Sequence, residues 1–270
     1  MSVRAQHHSA TVVRREHLSE HLVRIVLDVP TFVSTQIPDE WVGLIVPGQF
    51  QSRYYTVRAL EGSLMTLDIA VHDVGLVTEW TQADPESLVG QTVTVTDAKG
   101  SFELPAGAQW LLLVGDLTAL PAMARIRETH PELPIRVWAE VPDPLASYLP
   151  ADADHPVEWM PGHGDHLAEL VESIAWPEGE GYFWMAGESA QMRAIRKHLM
   201  RERKLPSSAY DVMGYWRVSA GRQPRAVDPG PIYRDGKAQG LSDEQIWANY
   251  DAAQQRLTEQ QTEQQAGTEQ

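Results

Sequence analysis

Cysteine is absent from the 270 residues, which excludes disulfides, cysteine-ligated iron–sulfur clusters and a thiolate nucleophile. Long apolar runs are missing as well: none approaches the length of a membrane span, and residues 1–13 contain no apolar signal segment. A soluble, cytoplasmic protein without membrane insertion is the expectation. Positive charge is scarce, with 22 Lys and Arg against 37 Asp and Glu and a formal net charge of −15. That balance argues against nucleic acid and anionic membranes as partners. The scarcity is uneven, because residues 193–222 hold eight basic side chains against Glu202 and Asp211 and are net +6, leaving −21 elsewhere. A solvated helix face accounts for the helical part of that stretch. Neither a Gly-x-Gly-x-x-Gly turn nor a nucleophile-elbow serine occurs, so a standard Rossmann fingerprint and a Ser/His/Asp hydrolase are set aside. His163-Gly164-Asp165-His166 reads as an exposed turn, and no metal site is expected.

What is present falls into two patterns. Residues 22–29, 65–72 and 91–96 alternate apolar and polar positions, as strands with one buried face do. Short strands of this kind, separated by Gly and Pro turns such as Pro47-Gly48, predict a small antiparallel barrel over residues 10–100. Near Lys99-Gly100 the pattern changes. Residues 110–114 form a continuous apolar run, the mark of a parallel strand covered on both faces. Further strands are expected at 135–141, 157–160 and 182–186, with helices at 119–129 and 165–174. A last helix capped by Ser189 would bury Met192, Ile195 and Leu199. Alternating β and α elements predict a parallel sheet with ligands at the carboxyl ends of its strands, where Gly115, Asp116, Thr118, Glu140 and residues 187–189 fall. Past Arg222 the chain reads as a Pro-rich linker, a capped helix from Ser242 to Leu257 and a Gln/Glu-rich disordered tail.

The stretch Arg53-Tyr54-Tyr55-Thr56-Val57-Arg58 carries the chemistry. Alternation over residues 52–59 puts Arg53 and Tyr55 on one face. An arginine fork can bind a diphosphate, a phenol ring can stack on a planar ring and Thr56 can reach a ring nitrogen. A dinucleotide with an aromatic ring system has all these features. The same six residues also describe an amphipathic strand with a surface arginine. Downstream, Gly75 precedes a short predicted helix whose free amides suit a phosphate.

Arg-x-Tyr-Thr resembles the flavin-binding signature of the ferredoxin-reductase superfamily. The longer Arg-x-Tyr-Thr-Val-Arg form is similar to the siderophore-interacting proteins, flavin-dependent ferric-siderophore reductases within it. Matches follow in order at residues 67–80, at Gly115-Asp116-Leu117-Thr118-Ala119-Leu120-Pro121-Ala122, at Gly187-Glu188-Ser189 and at Gly214-Tyr215-Trp216-Arg217. The resemblance covers roughly residues 10–260. It implies an N-terminal antiparallel Greek-key β-barrel that binds FAD (residues 1–105), then an α/β parallel-sheet NAD(P)H-binding domain (106–221). A linker and C-terminal helix (222–257) and a disordered tail (258–270) would follow. It implies NAD(P)H-driven reduction of ferric siderophores through bound FAD, releasing ferrous iron. The implied FAD and nicotinamide-side residues are Arg53, Tyr55, Thr56, Val57, Asp68, His72, Gly75, Leu76, Val77, Thr78, Asp116, Thr118, Tyr215 and Trp216. Gly187, Glu188 and Ser189 would meet NAD(P)H, either NADH or NADPH. Lys99, Arg217 and Arg222 are the candidates for the anionic ferric siderophore. Electron transfer through flavin needs no catalytic side chain, and a monomer is expected.

The chain departs from the family pattern in two places. Leu117 stands where a glutamate is usual, and Val218-Ser219-Ala220 separates Arg217 from Gly221. A flavin- or siderophore-binding protein without turnover, and a reductase serving a small electron-transfer protein, are the alternative readings.

Overall fold

Three apolar cores organise the described chain, one inside a barrel and one on each face of a sheet. The computed structural model describes residues 6–49, 51–71 and 75–217, all within the first of the two units into which the chain divides, Met1–Arg217. His72, Arg222, the linker, the C-terminal helix, the tail and the Val218-Ser219-Ala220 insertion lie outside the described residues. Strands β1 (His7–Ser19), β2 (Leu22–Asp28), β3 (Trp41–Ile45), β4 (Arg53–Glu61), β5 (Leu64–Ala70) and β6 (Thr92–Thr96) close into a barrel of order β1-β2-β5-β4-β3-β6. Every pairing is antiparallel, and closure leaves no free sheet edge. Alternation does the sorting. Val23, Ile25 and Leu27 of β2 meet Leu67, Ile69 and Met65 of β5 inside, fully buried; each such side chain contributes about 1.5–3 kcal/mol. On the outer face of the same pair, Arg24 lies opposite Asp68 in register. Two short helices, α1 (Leu76–Thr81) and α2 (Pro85–Leu88), connect β5 to β6.

The rest of the described chain is β7 (Leu111–Asp116), α3 (Leu120–Thr129), β8 (Ile135–Val141), β9 (Val157–Pro161), α4 (Leu167–Ser173), β10 (Tyr182–Glu188), α5 (Ser189–Arg201) and β11 (Tyr210–Trp216). The strands form a parallel sheet of order β11-β10-β7-β8-β9. The apolar run of β7 serves both faces: Leu111 and Leu113 pack in the core with α3, Leu112 and Val114 in the core with α4 and α5. Strand β11 is an element that local pattern does not predict, because Tyr210–Trp216 mixes Asp, Gly and aromatics without a clear period. The cap of α5 also differs from expectation. Glu188 is the capping residue and accepts from the amides of Ala190 and Gln191, while the Ser189 hydroxyl donates 2.6 Å to the carbonyl of Trp216. That carbonyl lies on the adjacent strand β11, and the parallel register brings it within reach.

Charged straps hold α3 against the barrel. Arg125 donates to the Val57 carbonyl at 2.8 Å and pairs with Glu40 at 2.9 Å. Arg58 grips Glu128 through both oxygens, at 2.9 and 2.6 Å. Asp39, fully buried, accepts from the amides of Ser101 and Phe102, both at 3.0 Å. Among the described residues no helix is long and apolar enough to cross a membrane.

Candidate functional site

The turn after β7 is built around one carboxylate. Gly115 is required there, since a Cβ would come within 2.4 Å of Ala119 Cβ. Asp116 Oδ1 accepts from the amide of Thr118 at 2.8 Å and from its hydroxyl at 2.6 Å, which sets the entrance to α3. Asp116 Oδ2 accepts from the indole nitrogen of Trp216 at 2.6 Å. The carboxylate therefore ties β7 to β11 across the intervening β10. Space for it exists because position 187 on β10 is glycine, where a Cβ would approach Oδ2 to 2.7 Å. Burial raises the pKa of Asp116, and the Thr118 and Trp216 hydrogen bonds oppose that rise.

Beside this turn is a cavity of about 100 Å³. The barrel supplies His21 and Val71 to its wall, and the β7 turn supplies Asp116, Leu117 and Thr118. Pro142, His163 and Trp216 complete it from the other carboxyl ends of the sheet. It thus lies where barrel and sheet meet, at the edge that parallel α/β sheets use for ligands.

Of the barrel residues singled out by sequence, Arg53 is exposed at the start of β4. It forms no ion pair among the described residues, whereas Arg24, Arg58 and Arg125 each hold a carboxylate. Tyr55 is half-buried against the barrel core, and burial pushes its phenol up to about 12, with Arg53 acting in the opposite sense. Thr56 is buried and Val57 belongs to the core. Gly75 precedes α1 with φ of 144°, a backbone that favours glycine; Leu76 is exposed, Val77 and Thr78 are buried. On the sheet side, the buried hydroxyl of Tyr215 faces Thr56 of the barrel; burial raises its pKa and the contact with Thr56 opposes that rise.

Other predicted residues are placed elsewhere. Asp68 has a fully buried side chain that bonds Arg24 at 2.7 and 2.8 Å and receives the Tyr148 hydroxyl at 2.5 Å. Its carboxylate does not line the cavity. Lys99 is exposed and two residues from Ser101, whose hydroxyl donates 2.6 Å to Asp211 at the amino end of β11. Trp216 is at the other end of that strand, about 16 Å along it at 3.3 Å per residue. Arg217 is exposed and adjoins Trp216. Glu140, at the end of β8, is 1% exposed and accepts from the amides of Asp165 and His166. Sequence reasoning missed His21 and Pro142, which no local pattern marks, and weighed His163 only as a metal ligand.

The barrel followed by a parallel sheet is a fold shared with solved reductase structures, among them the ferredoxin reductase in carbazole 1,9a-dioxygenase, with a TM-score of 0.64 at 15% identity, covering 79% of this chain and 70% of that one. A siderophore-interacting protein from Acinetobacter baumannii has this fold, with a TM-score of 0.71 at 20% identity, covering 87% of this chain and 98% of that one. Residues 108–219 match the family model described as siderophore-interacting protein. The mycobactin import ATP-binding/permease protein of Mycobacterium tuberculosis is 28% identical over 279 residues, covering 88% of this chain. This chain spans only 31% of that relative's length. The ferric vibriobactin reductase of Vibrio cholerae is 25% identical over 76% of this chain and 87% of its own.

Proposed function

We propose that the protein is a flavin-dependent oxidoreductase that uses NADH or NADPH to reduce ferric siderophores, releasing ferrous iron in the cytoplasm. The observation that carries this reading is a coincidence of position. The matched siderophore-interacting segment, residues 108–219, contains the sheet edge whose Asp116 and Trp216 line the cavity against the barrel. The name of the Vibrio cholerae relative supports the same chemistry. On this reading residues 1–105 form the FAD domain and 106–221 the NAD(P)H domain.

The residues present fit a flavin dinucleotide. Arg53 offers a guanidinium that no carboxylate among the described residues holds, Tyr55 a half-buried ring, and Tyr215 a buried hydroxyl beside Thr56. Arg53 would bind the diphosphate with help from Gly75, Leu76, Val77 and Thr78, and Tyr55 and Thr56 would hold the ring system. Val57 and Asp68 keep β4 and β5 in place beneath it. Bound flavin would supply the conversion between a two-electron hydride donor and a one-electron ferric acceptor. Asp116, through its bond to Trp216, fixes that indole on the cavity wall, and Thr118 fixes Asp116. Gly187, Glu188 and Ser189 form the neighbouring edge for the nicotinamide nucleotide. Arg217 is the remaining described cation beside Trp216 for an anionic ferric complex, with Lys99 and Arg222 as the other candidates. Proximity suffices for outer-sphere electron transfer, so the iron complex is a substrate that needs no protein ligand.

Anaerobic titration of the purified protein with NADH and NADPH, followed by a ferric siderophore and a ferrous trap, tests the reading. Bleaching of a yellow protein and trapped ferrous iron are expected. A preparation that stays colourless with excess FAD would end it. A binding protein without turnover is the second reading, favoured by one observation: Leu117, an apolar side chain, lines the cavity where the family pattern has a carboxylate. A yellow protein that neither nicotinamide bleaches would select it.

A further inference from the structure

The histidines of the barrel and sheet divide into two groups. His130, His155, His166 and His198 each face a carboxylate. His8 bonds Thr31 and Asp97, His17 bonds Arg15, and His7 acts electrostatically on Asp97. Among the described histidines this leaves His21 and His163, whose side chains have no partner among the described residues. These two are the ones that line the cavity, one from the barrel and one from the sheet.

Both are carried on turns whose backbone is tied down. The His21 amide donates to the Ser19 hydroxyl at 3.2 Å, and its carbonyl accepts from Val71 at 2.9 Å. The loop bearing His163 is held on either side: Gly162 donates to the Val141 carbonyl at 3.1 Å, and the buried Glu140 carboxylate takes the amides of Asp165 and His166. Glu140 is therefore a positioning residue for His163. The one carboxylate among the described residues of the cavity wall, Asp116, has both oxygens engaged by Thr118 and Trp216, so it does not compete for the imidazoles. The cavity, about 100 Å³ and partly open to solvent, takes one compact group of a ligand, with the remainder outside.

We propose that His21 and His163 form a two-sided clasp for a compact oxyanion group at the junction of barrel and sheet. An imidazole N–H donates to anionic oxygen and, when protonated, adds charge on a protein that is otherwise acidic. On the functional reading above, that group is either a phosphate of the nicotinamide dinucleotide or an anionic chelating group of the ferric complex.

The test is NMR of the histidine imidazoles in the full chain, with His21→Ala and His163→Ala assigning the two signals. Inorganic pyrophosphate and gallium(III) citrate, a redox-inert stand-in for a ferric chelate, are the probes. Both signals are expected to move together and saturably with at least one probe, and each substitution to weaken that binding roughly tenfold or more. Response to pyrophosphate alone assigns the clasp to the dinucleotide, and response to gallium citrate alone to the iron complex. Silence with both probes, or movement of one imidazole without the other, overturns the proposal, and spectra of the unsubstituted protein are enough to reveal either outcome. Flavin takes no part in the readout, so a colourless protein whose imidazoles respond would sink the redox reading and leave the clasp standing.

Discussion

Arg53 and Asp68 stand on neighbouring barrel strands with opposite charges and different surroundings. Asp68 is enclosed by Arg24 and the Tyr148 hydroxyl; beside it the Arg24 pKa is raised, and burial together with Asp68 pushes the Tyr148 phenol well above its ordinary value. Arg53 is solvent-exposed and bound to no carboxylate among the described residues. Arg53→Ala is expected to lose bound flavin while its urea midpoint stays near that of the parent; full flavin content by absorbance after that change would count against the diphosphate role. Tyr148→Phe should behave in the opposite way. Loss of one hydrogen bond to a buried carboxylate costs about 1.5–3 kcal/mol in urea unfolding, with flavin content per folded molecule unchanged. Both residues are visible in sequence only as letters in a motif or a loop. Asp68 matches the family stretch, yet its charge partner is 44 residues away, a distance that no local pattern bridges.

At the level of elements, strand β4 and helix α3 are joined by Arg125, which donates to the Val57 carbonyl and pairs with Glu40. Burial works to raise the pKa of Glu40, but the Ser34 and Thr35 hydroxyls and Arg125 outweigh it and leave it below the ordinary carboxylate value. A depressed carboxylate stabilises the fold above the unfolded pKa and loses that contribution as pH falls through its folded value. Glu40→Gln is therefore expected to cost about 3 kcal/mol at neutral pH. The gap from the parent should close as pH is lowered from 4.5. Urea denaturation at two pH values checks the sign, and a gap that widens toward acid would refute it. Strands with strong alternation or unbroken apolar runs are legible in the sequence: β2, β5 and β8 occupy the expected positions within one or two residues. Strand β11 and the Glu188 cap are not, because each is decided by its neighbours. Val212 is buried against α5 from a strand with little pattern of its own, and the cap falls to Glu188 because Ser189 is drawn to β11.

For the whole molecule the charge of −15 acts on encounter rather than on fold. An anionic ferric chelate approaches against that field, so added salt should raise its kcat/KM by screening, while an uncharged ferric trihydroxamate should respond little. Stopped-flow rates at two ionic strengths measure this, and a fall with salt for the anionic complex would mean that local positive charge dominates. The amino-acid sequence by itself determined the strongly patterned strands and helices, the antiparallel-then-parallel order and the family motifs, because alternation and apolar runs are local properties of a chain. Only the tertiary structure decided which charges are satisfied and which are left over. Asp68, Glu140 and Asp116 are taken up by partners remote in sequence, while Arg53, His21 and His163 have no such partner among the described residues. The physical reason is that pairing depends on where packing of barrel against sheet brings each side chain, and residues 21 and 163 share a cavity wall only after both bodies have folded and met.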